Sequence, residues 1–347
     1  CNVTHACFVP KDLSLNYPRG EKELLGAFHR FSTGDVMEWF ANKGVELKIE
    51  DDGRIFPVSN SSETIIECFM NSVKDLGINI TLKSTVKKIE KKNEFNVYLS
   101  DEQLLTADAV VVAIGGSAKI AHYDFLASLG HFIEKPIPSL FTFNLPKHKS
   151  NDLMGLAVDA EVKILGTQFE EYGPVLFTHW GMSGPAILKL SARAAIYLFE
   201  KSYQFNYQVT WMSNSALFIQ EKRKSDPSKK VINSKPQDIP QRLWSYLIDR
   251  AEISIVRNWG DLSKNELNRI EDILTQDVYQ ANGKTTFKEE FVTSGGISLK
   301  DINMKTMESK RVDGLYFCGE VMNVDAITGG FNFQAAWTSA WHVAQQL

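Results

Sequence analysis

GLYFCGEVMNVDAITGGFNFQAAW, residues 314–337, sets an apolar run against a Gly-Glu pair, then a Thr-Gly-Gly turn, then an Ala-rich stretch. Read as a buried strand, LYFC ends at Gly319-Glu320. In open α/β sheets, ligands sit outside the carboxyl ends of the strands, and an acid there accepts hydrogen bonds from a sugar-like hydroxyl. Eight residues after Glu320 come Thr328-Gly329-Gly330, then Phe331, Asn332, Phe333 and Gln334 in a helix-prone tail. Two readings of the glycines stand side by side. Residues without side chains let backbone N–H groups approach a ligand, and the helix behind them points its positive end at negative charge. The same pattern also describes a left-handed turn ahead of a packed helix.

Working outward, ADAVVVAIGG (107–116) is a second apolar run ending in Gly115-Gly116. Continuous rather than alternating apolarity predicts a strand buried on both faces, as in a parallel sheet. Residues 61–77 carry a helical stripe at Ile65, Ile66, Phe69 and Val73, with Ser61 or Ser62 as cap and Gly77 as terminator. INITL (78–82) reads as a strand, and 85–100 reads as a hairpin with Lys92-Asn93 at its tip. Near Pro136 the texture changes to short strands punctuated by Gly, Pro and Asn, which predicts an antiparallel barrel or sandwich. Two amphipathic helices follow, at 236–253 and 262–276, the second with Ser263 as cap and Glu266 in the capping-box position. The charged segment 220–230 reads as a solvated loop. From Phe291 the α/β texture returns. The resulting division is 1–138, an insertion over 139–290, and 291–347.

Bulk properties limit the function classes. With 347 residues and 44% hydrophobic content the chain can bury a large core. A net charge of −4 offers no global basic field for nucleic acid or anionic membrane. The four cysteines, at 1, 7, 68 and 318, form no CxxC pair, a usage that suits a reducing cytoplasm. No apolar run reaches the roughly 18 residues of a membrane span.

TSGGISLKDINMKTMESKRVDGLYFCGEVMNVDAITGGFNFQAAWTSAW (293–341) resembles the C-terminal signature of the BaiN/YhiN-type flavoproteins, which are NAD(P)/FAD-dependent oxidoreductases including aminoacetone-oxidase-like enzymes. CNVTH (1–5), GRIFPVSNSSE (53–63), VVVAIGGSA (110–118), PSLFTF (138–143) and VLFTHWGMSGPAILKLS (175–191) resemble the same family in the same order. The resemblance implies an α/β fold: an FAD/NAD(P)-binding Rossmann-like domain interrupted by a β-barrel plus helical insertion domain. It implies FAD as cofactor. Gly115 and Gly116 would end the strand that passes the FAD, and Gly319 and Glu320 would sit by the ribityl-pyrophosphate. Asp325, with Thr328, Gly329, Gly330, Phe331, Asn332 and Gln334, would line the flavin ring. The expected activity is hydride transfer between a small organic substrate and flavin, reoxidised by NAD(P) or oxygen, with NAD(P)H docking transiently. Members of such families open with GxGxxG and an acid that holds the ribose, and no GxGxxG occurs in these 347 residues. The chain therefore reads as beginning just after that unit. The alternative expectation is a truncated, catalytically silent fragment that folds without retaining FAD and self-associates through the face left open.

Other chemistries fare worse. GMSGP with His179 lacks the second glycine of a nucleophile elbow, since Pro185 stands there, and Ser183 reads better as a helix cap ahead of Pro185. Cys1, His5 and Cys7 match no zinc spacing, so no metal site is expected. His179, at the end of a strand in the insertion, is the candidate acid/base on the substrate side, with a structural histidine as the plainer reading.

Overall fold

The computed structural model describes residues 2–285 and 292–347. Cys1 of the Cys1/His5/Cys7 grouping and the boundary expected at 290/291 lie outside the described residues. The chain divides into two compact units, Cys1–Ser139 with Val292–Leu347, and Leu140–Phe291.

The first unit begins with β1 (Thr4–His5), α1 (Pro10–Ser14), α2 (Glu21–Phe28), α3 (Thr33–Asn42), β2 (Leu47–Ile49) and β3 (Arg54–Pro57). β3 is the centre of a three-stranded sheet between β1 and β2. α4 (Ser62–Asp75) starts where Ser61 Oγ accepts the Glu63 N–H at 3.2 Å, and Gly77 follows it with φ 64°. Both ends agree with the cap and terminator read from the sequence. Residues 78–82 are not a strand. No strand pairs with them among the described residues, and Ile78, Ile80 and Leu82 are exposed. β4 (Val86–Lys91), β5 (Phe95–Leu99) and β6 (Leu104–Ala107) form an antiparallel meander. Lys91 faces Phe95, so the first hairpin turns at 92–94, as expected. β7 (Val110–Val112) is shorter and more open than the continuous apolar run predicts, with Val111 40% and Ile114 52% exposed. α5 (Asp124–Ala127) and β8 (Ile133–Pro138) lead to the second unit.

That unit carries β9 (Thr142–Asn144), β10 (Ala157–Ile164), β11 (Glu170–Thr178), β12 (Gly181–Ser183), β13 (Gln204–Thr210), β14 (Asp277–Asn282) and β15 (Lys284–Thr285). They build one antiparallel sheet in the order β14-β13-β10-β11-β12-β9-β15. The expected barrel is not closed. β14 and β15 are the two ends of the order and are linked through Gly283, whose φ of 96° turns the chain so that its two halves pair with different neighbours. The helices are α6 (Pro185–Arg193), α7 (Ala195–Glu200), α8 (Ser215–Ser225), α9 (Gln241–Arg250) and α10 (Lys264–Thr275). α10 has the capping box of Ser263 and Glu266 that its sequence announces. Ser183 does not cap α6; it ends β12, and Gly184 takes the cap position with φ 92°, where a Cβ would lie 2.6 Å from the Pro174 carbonyl oxygen. The segment expected as a loop at 220–230 is half helical. Lys222, Arg223 and Lys224 occupy the last turn of α8, where the helix dipole favours cations, and Asp226 pairs with Lys222 and Lys229. The core packs Trp244, Trp259, Phe143, Phe177 and Tyr207. Within it the fully buried Asp277 accepts hydrogen bonds from Trp211 Nε1 (2.9 Å), Tyr279 Oη (2.5 Å) and Arg250 (2.6 Å).

The chain then returns to the first unit. β16 (Thr293–Ile297) pairs antiparallel with β8, and β17 (Ile302–Asn303), β18 (Glu308–Ser309) and β19 (Leu315–Phe317) follow. The order β17-β18-β19-β7 ends in a parallel pair, with Leu315, Tyr316 and Phe317 opposite Val110, Val111 and Val112. α11 (Phe331–Ala344) closes the chain. Among the described residues no helix is long and apolar enough to cross a membrane, and no group of three or more His, Cys, Asp or Glu side chains could hold a metal ion.

Candidate functional site

Because β7 and β19 run parallel, their carboxyl ends bring Gly115-Gly116 and Gly319-Glu320 together. Gly115 takes φ 73°, and a Cβ built there would meet nothing within 4 Å. Gly319 also takes φ 73°, with its N–H donated to Ser339 Oγ of α11 at 3.0 Å. Gly116 donates its backbone N–H to the Glu320 carboxylate. A Cβ on Gly116 would sit 2.9 Å from Thr293 Oγ1 and 3.3 Å from Glu320 Oε2, so only glycine fits between them.

Glu320 is half-buried and forms no ion pair among the described residues. Burial, and then the charge of Asp325, push its carboxyl up to about 7, against the opposing pull of the Gly116 amide. Asp325 is fully buried and ion-paired to Arg19, and it accepts a hydrogen bond from the Ser139 hydroxyl. Arg19 also donates to Ser139 Oγ at 2.8 Å. Burial raises the Asp325 carboxyl against the pull of Arg19 and Ser139. Beside Gly116, the buried Thr293 hydroxyl has no hydrogen-bond partner among the described residues. Such a group costs about 1–3 kcal/mol unless something pairs with it.

The Thr-Gly-Gly segment lies against β1. Gly330 has φ 97°, and a Cβ there would fall 2.5 Å from the Thr4 carbonyl oxygen and 2.6 Å from Asn2 Oδ1. A Cβ on Gly329 would come within 3.0 Å of the Phe331 ring. The chain's own strand therefore already requires a bare residue at 330. Phe331 stacks on His5 with ring centroids 4.5 Å apart, and its carbonyl accepts from Tyr17 Oη at 2.5 Å. Asn332 brackets Ala326, accepting from its N–H (2.9 Å) and donating to its carbonyl (3.2 Å). The fully buried Gln334 accepts from Thr4 Oγ1 (2.5 Å) and donates to Thr338 Oγ1 (3.0 Å). Thr328 is half-buried, and no side chain caps the start of α11. Asp325 and Gln334 are thus committed to internal hydrogen bonds, whereas Gly115 is open and Glu320 accepts the Gly116 amide.

His179 follows β11 in the other unit and is exposed, its ring 6.1 Å from that of Trp180. Sequence reasoning missed Arg19, Ser139 and Thr293. Thr293 stands in the quoted TSGG motif, but nothing in the motif reveals that its hydroxyl would be buried beside residues 116 and 320. A half-buried carboxyl that titrates near neutrality, with an unsatisfied hydroxyl beside it, can bind a hydroxyl-bearing ligand or exchange a proton with one.

The profile of the HI0933-like protein Rossmann domain matches residues 1–346. The ribosomal RNA dihydrouridine synthase of Escherichia coli (strain K12) is 27% identical, over 100% of this chain and 86% of that protein. The protein of the same name from Haemophilus influenzae is also 27% identical, over 99% and 86%. The 3-dehydro-bile acid delta(4,6)-reductase of Clostridium scindens is 25% identical, over 98% and 86%.

Proposed function

This chain belongs to the HI0933-like Rossmann-domain family, and from that premise we propose that it is an FAD-dependent oxidoreductase acting on a small organic substrate. At family level the chemistry is that of a flavoprotein-type oxidoreductase. The observation that carries the finer reading is Glu320. It is an uncompensated, half-buried carboxyl at the carboxyl ends of a parallel strand pair, next to open Gly115 and the unsatisfied Thr293 hydroxyl. These groups fit a cofactor that brings hydroxyls. Glu320 would accept from a hydroxyl of the ribityl chain, Thr293 would gain its missing partner, and Gly115 leaves the backbone open to approach. FAD, when bound, supplies a two-electron hydride acceptor and donor.

The relatives' names suggest the class of substrate. A dihydrouridine synthase and a delta(4,6)-reductase both saturate carbon–carbon double bonds, so an electron-poor double bond is proposed as the reducible group here. NAD(P)H would be the electron source, and oxygen the alternative partner of the reduced cofactor. His179, exposed after β11, is proposed as an acid/base group. A second reading, a folded chain that does not retain FAD, draws on Gly330, whose smallness β1 already explains.

Titration of the purified protein with FAD, followed by calorimetry and visible absorbance, separates the two. Saturable binding weakened roughly ten- to a hundredfold in Glu320→Ala is expected, the range for loss of a charge-assisted hydrogen bond of about 1.5–3 kcal/mol. Absence of binding at any FAD concentration would leave the second reading standing.

A further inference from the structure

His131 has no part in the reading above. It stands between α5 and β8 and is buried, with both ring nitrogens engaged. Nδ1 lies 3.1 Å from the Leu126 carbonyl, which can only accept, so Nδ1 carries a hydrogen. In a neutral ring Nε2, 2.8 Å from Ser309 Oγ of β18, then accepts from that hydroxyl. Ser309 Oγ has no other role open to it, because its lone pairs take the Arg311 and Val312 N–H groups, each at 3.0 Å. The neutral ring thus joins α5 to the turn after β18. It also meets Phe317 of β19 edge-on, with ring centroids 5.2 Å apart, and β19 runs directly into Gly319 and Glu320.

We propose that His131 is a proton-operated latch: neutral, it fastens α5 to the Ser309 turn and steadies β19, and protonated, it releases both. A proton on Nε2 would set N–H against Oγ–H, and Ser309 could accept it only by giving up the Arg311 or Val312 amide. Of the charges that act on the ring, Asp301 favours the proton but is already ion-paired at 2.7 Å to Arg311, which opposes it. Asp301 also accepts the Phe132 N–H at 2.7 Å. The other charged groups on these elements are turned elsewhere. Glu134 of β8 accepts from Ser298 Oγ (3.3 Å), Glu308 of β18 accepts from the Gly314 N–H (2.8 Å) and from Tyr316 of β19, and Lys310 donates to the Lys300 carbonyl (3.0 Å). Asp124, Lys135 and Asp313 are exposed. Burial holds the imidazole below its ordinary 6.5, against the pull of the Leu126 carbonyl and Asp301. The latch therefore contributes fully above pH 6.5 and is lost as pH falls through the lower native value. Its importance for the site rests on the function proposed above. The latch itself is read without ligand, so its failure leaves the flavin reading intact, and failure of the flavin reading leaves the latch intact.

Amide hydrogen exchange of the purified protein from about pH 8 to about pH 5, corrected for the intrinsic pH dependence, tests this, with the His131 ring followed by NMR. Opening of residues 309–312 and 315–321 is expected to rise together, by up to about tenfold for each pH unit below the native value of the ring. His131→Gln offers an amide N–H to Leu126 and a carbonyl to Ser309 but cannot be protonated, so the same amides should stay protected throughout. Ser309→Ala should leave them open at every pH. Both variants keep Glu320, so its own titration cancels in the comparison with wild type. Unchanged protection in the wild type across this range, whether or not the ring titrates, would overturn the latch whatever the variants do. Opening with equal pH dependence in wild type and His131→Gln would assign the effect to another group and overturn it as well. Opening confined to 309–312 would overturn control of the strand that carries Glu320.

Discussion

Replacing Glu320 by Gln should make the protein more stable, and only at the pH where the carboxyl would otherwise be charged. The native carboxyl is raised from an ordinary 4.5 to about 7 by burial and by Asp325, a difference of about 2.5 (7 − 4.5). At about 1.36 kcal/mol per unit this sets a ceiling of about 3.4 kcal/mol, and solvent screening of a group that is only half-buried brings it to about 2 kcal/mol. The native state holds this proton more tightly than the unfolded chain does. Its stability contribution is therefore fully present below pH 4.5, falls as pH rises toward 7, and is flat above. Glutamine keeps the size and loses the charge. Urea unfolding of both proteins at about pH 5 and about pH 8 should show the variant gaining about 2 kcal/mol on the wild type between the two conditions. Taking the difference between variant and wild type cancels every other titrating group that the substitution leaves undisturbed. A difference that is the same at both pH values would refute the reasoning. Glu320 would then be solvated, or neutralised by a cation, in the native state.

Gly330→Ala should cost about 3 kcal/mol or more in unfolding free energy, because its Cβ meets the Thr4 carbonyl oxygen at 2.5 Å and its φ is 97°. Gly115→Ala, with φ 73° but open space, should cost only about 1–2 kcal/mol while weakening FAD retention, and equal thermal losses in the two variants would remove the distinction. Asp277→Ala strips the shared acceptor from Trp211, Tyr279 and Arg250 and should destabilise by about 3–5 kcal/mol; a loss below 1 kcal/mol in urea titration would mean that water replaces it. His179→Gln is expected to lower turnover, and unchanged kinetics would assign the residue no chemical role.

What was legible in the sequence is what local chemistry decides. Ser61, Gly77, Ser263 and Glu266 act within a turn of where they stand, so the ends of α4 and α10 could be read directly. The hairpin tip at 92–94 follows from two alternating runs joined by a short polar turn. Segment 78–82 has strand composition but lacks a partner, and pairing rather than propensity makes a strand. The site divides in the same way. Gly115, Gly116, Gly319 and Glu320 end apolar runs and were visible as such. Arg19 stands 306 residues from the aspartate it holds, and Thr293 acquires meaning only when β16 carries it beside residues 116 and 320. Gly330 looked like an invitation to a ligand because the strand that fills its missing side chain lies at the opposite end of the sequence.

That last arrangement governs when the protein can mature on the ribosome. β1 supplies Thr4 to Gln334, β8 waits for β16, and β7 waits for β19, so the first unit is assembled from segments translated before and after the second unit. Nearly everything in the Leu140–Phe291 unit that builds its sheet and core is contiguous and emerges in one piece. During synthesis β7 and β8 must therefore wait for their partner strands while the roughly 150 residues of the second unit are added. A nascent chain halted before residue 292 would carry a finished sheet behind an unfinished one. The cell's quality control would meet that half-built species on every round of translation.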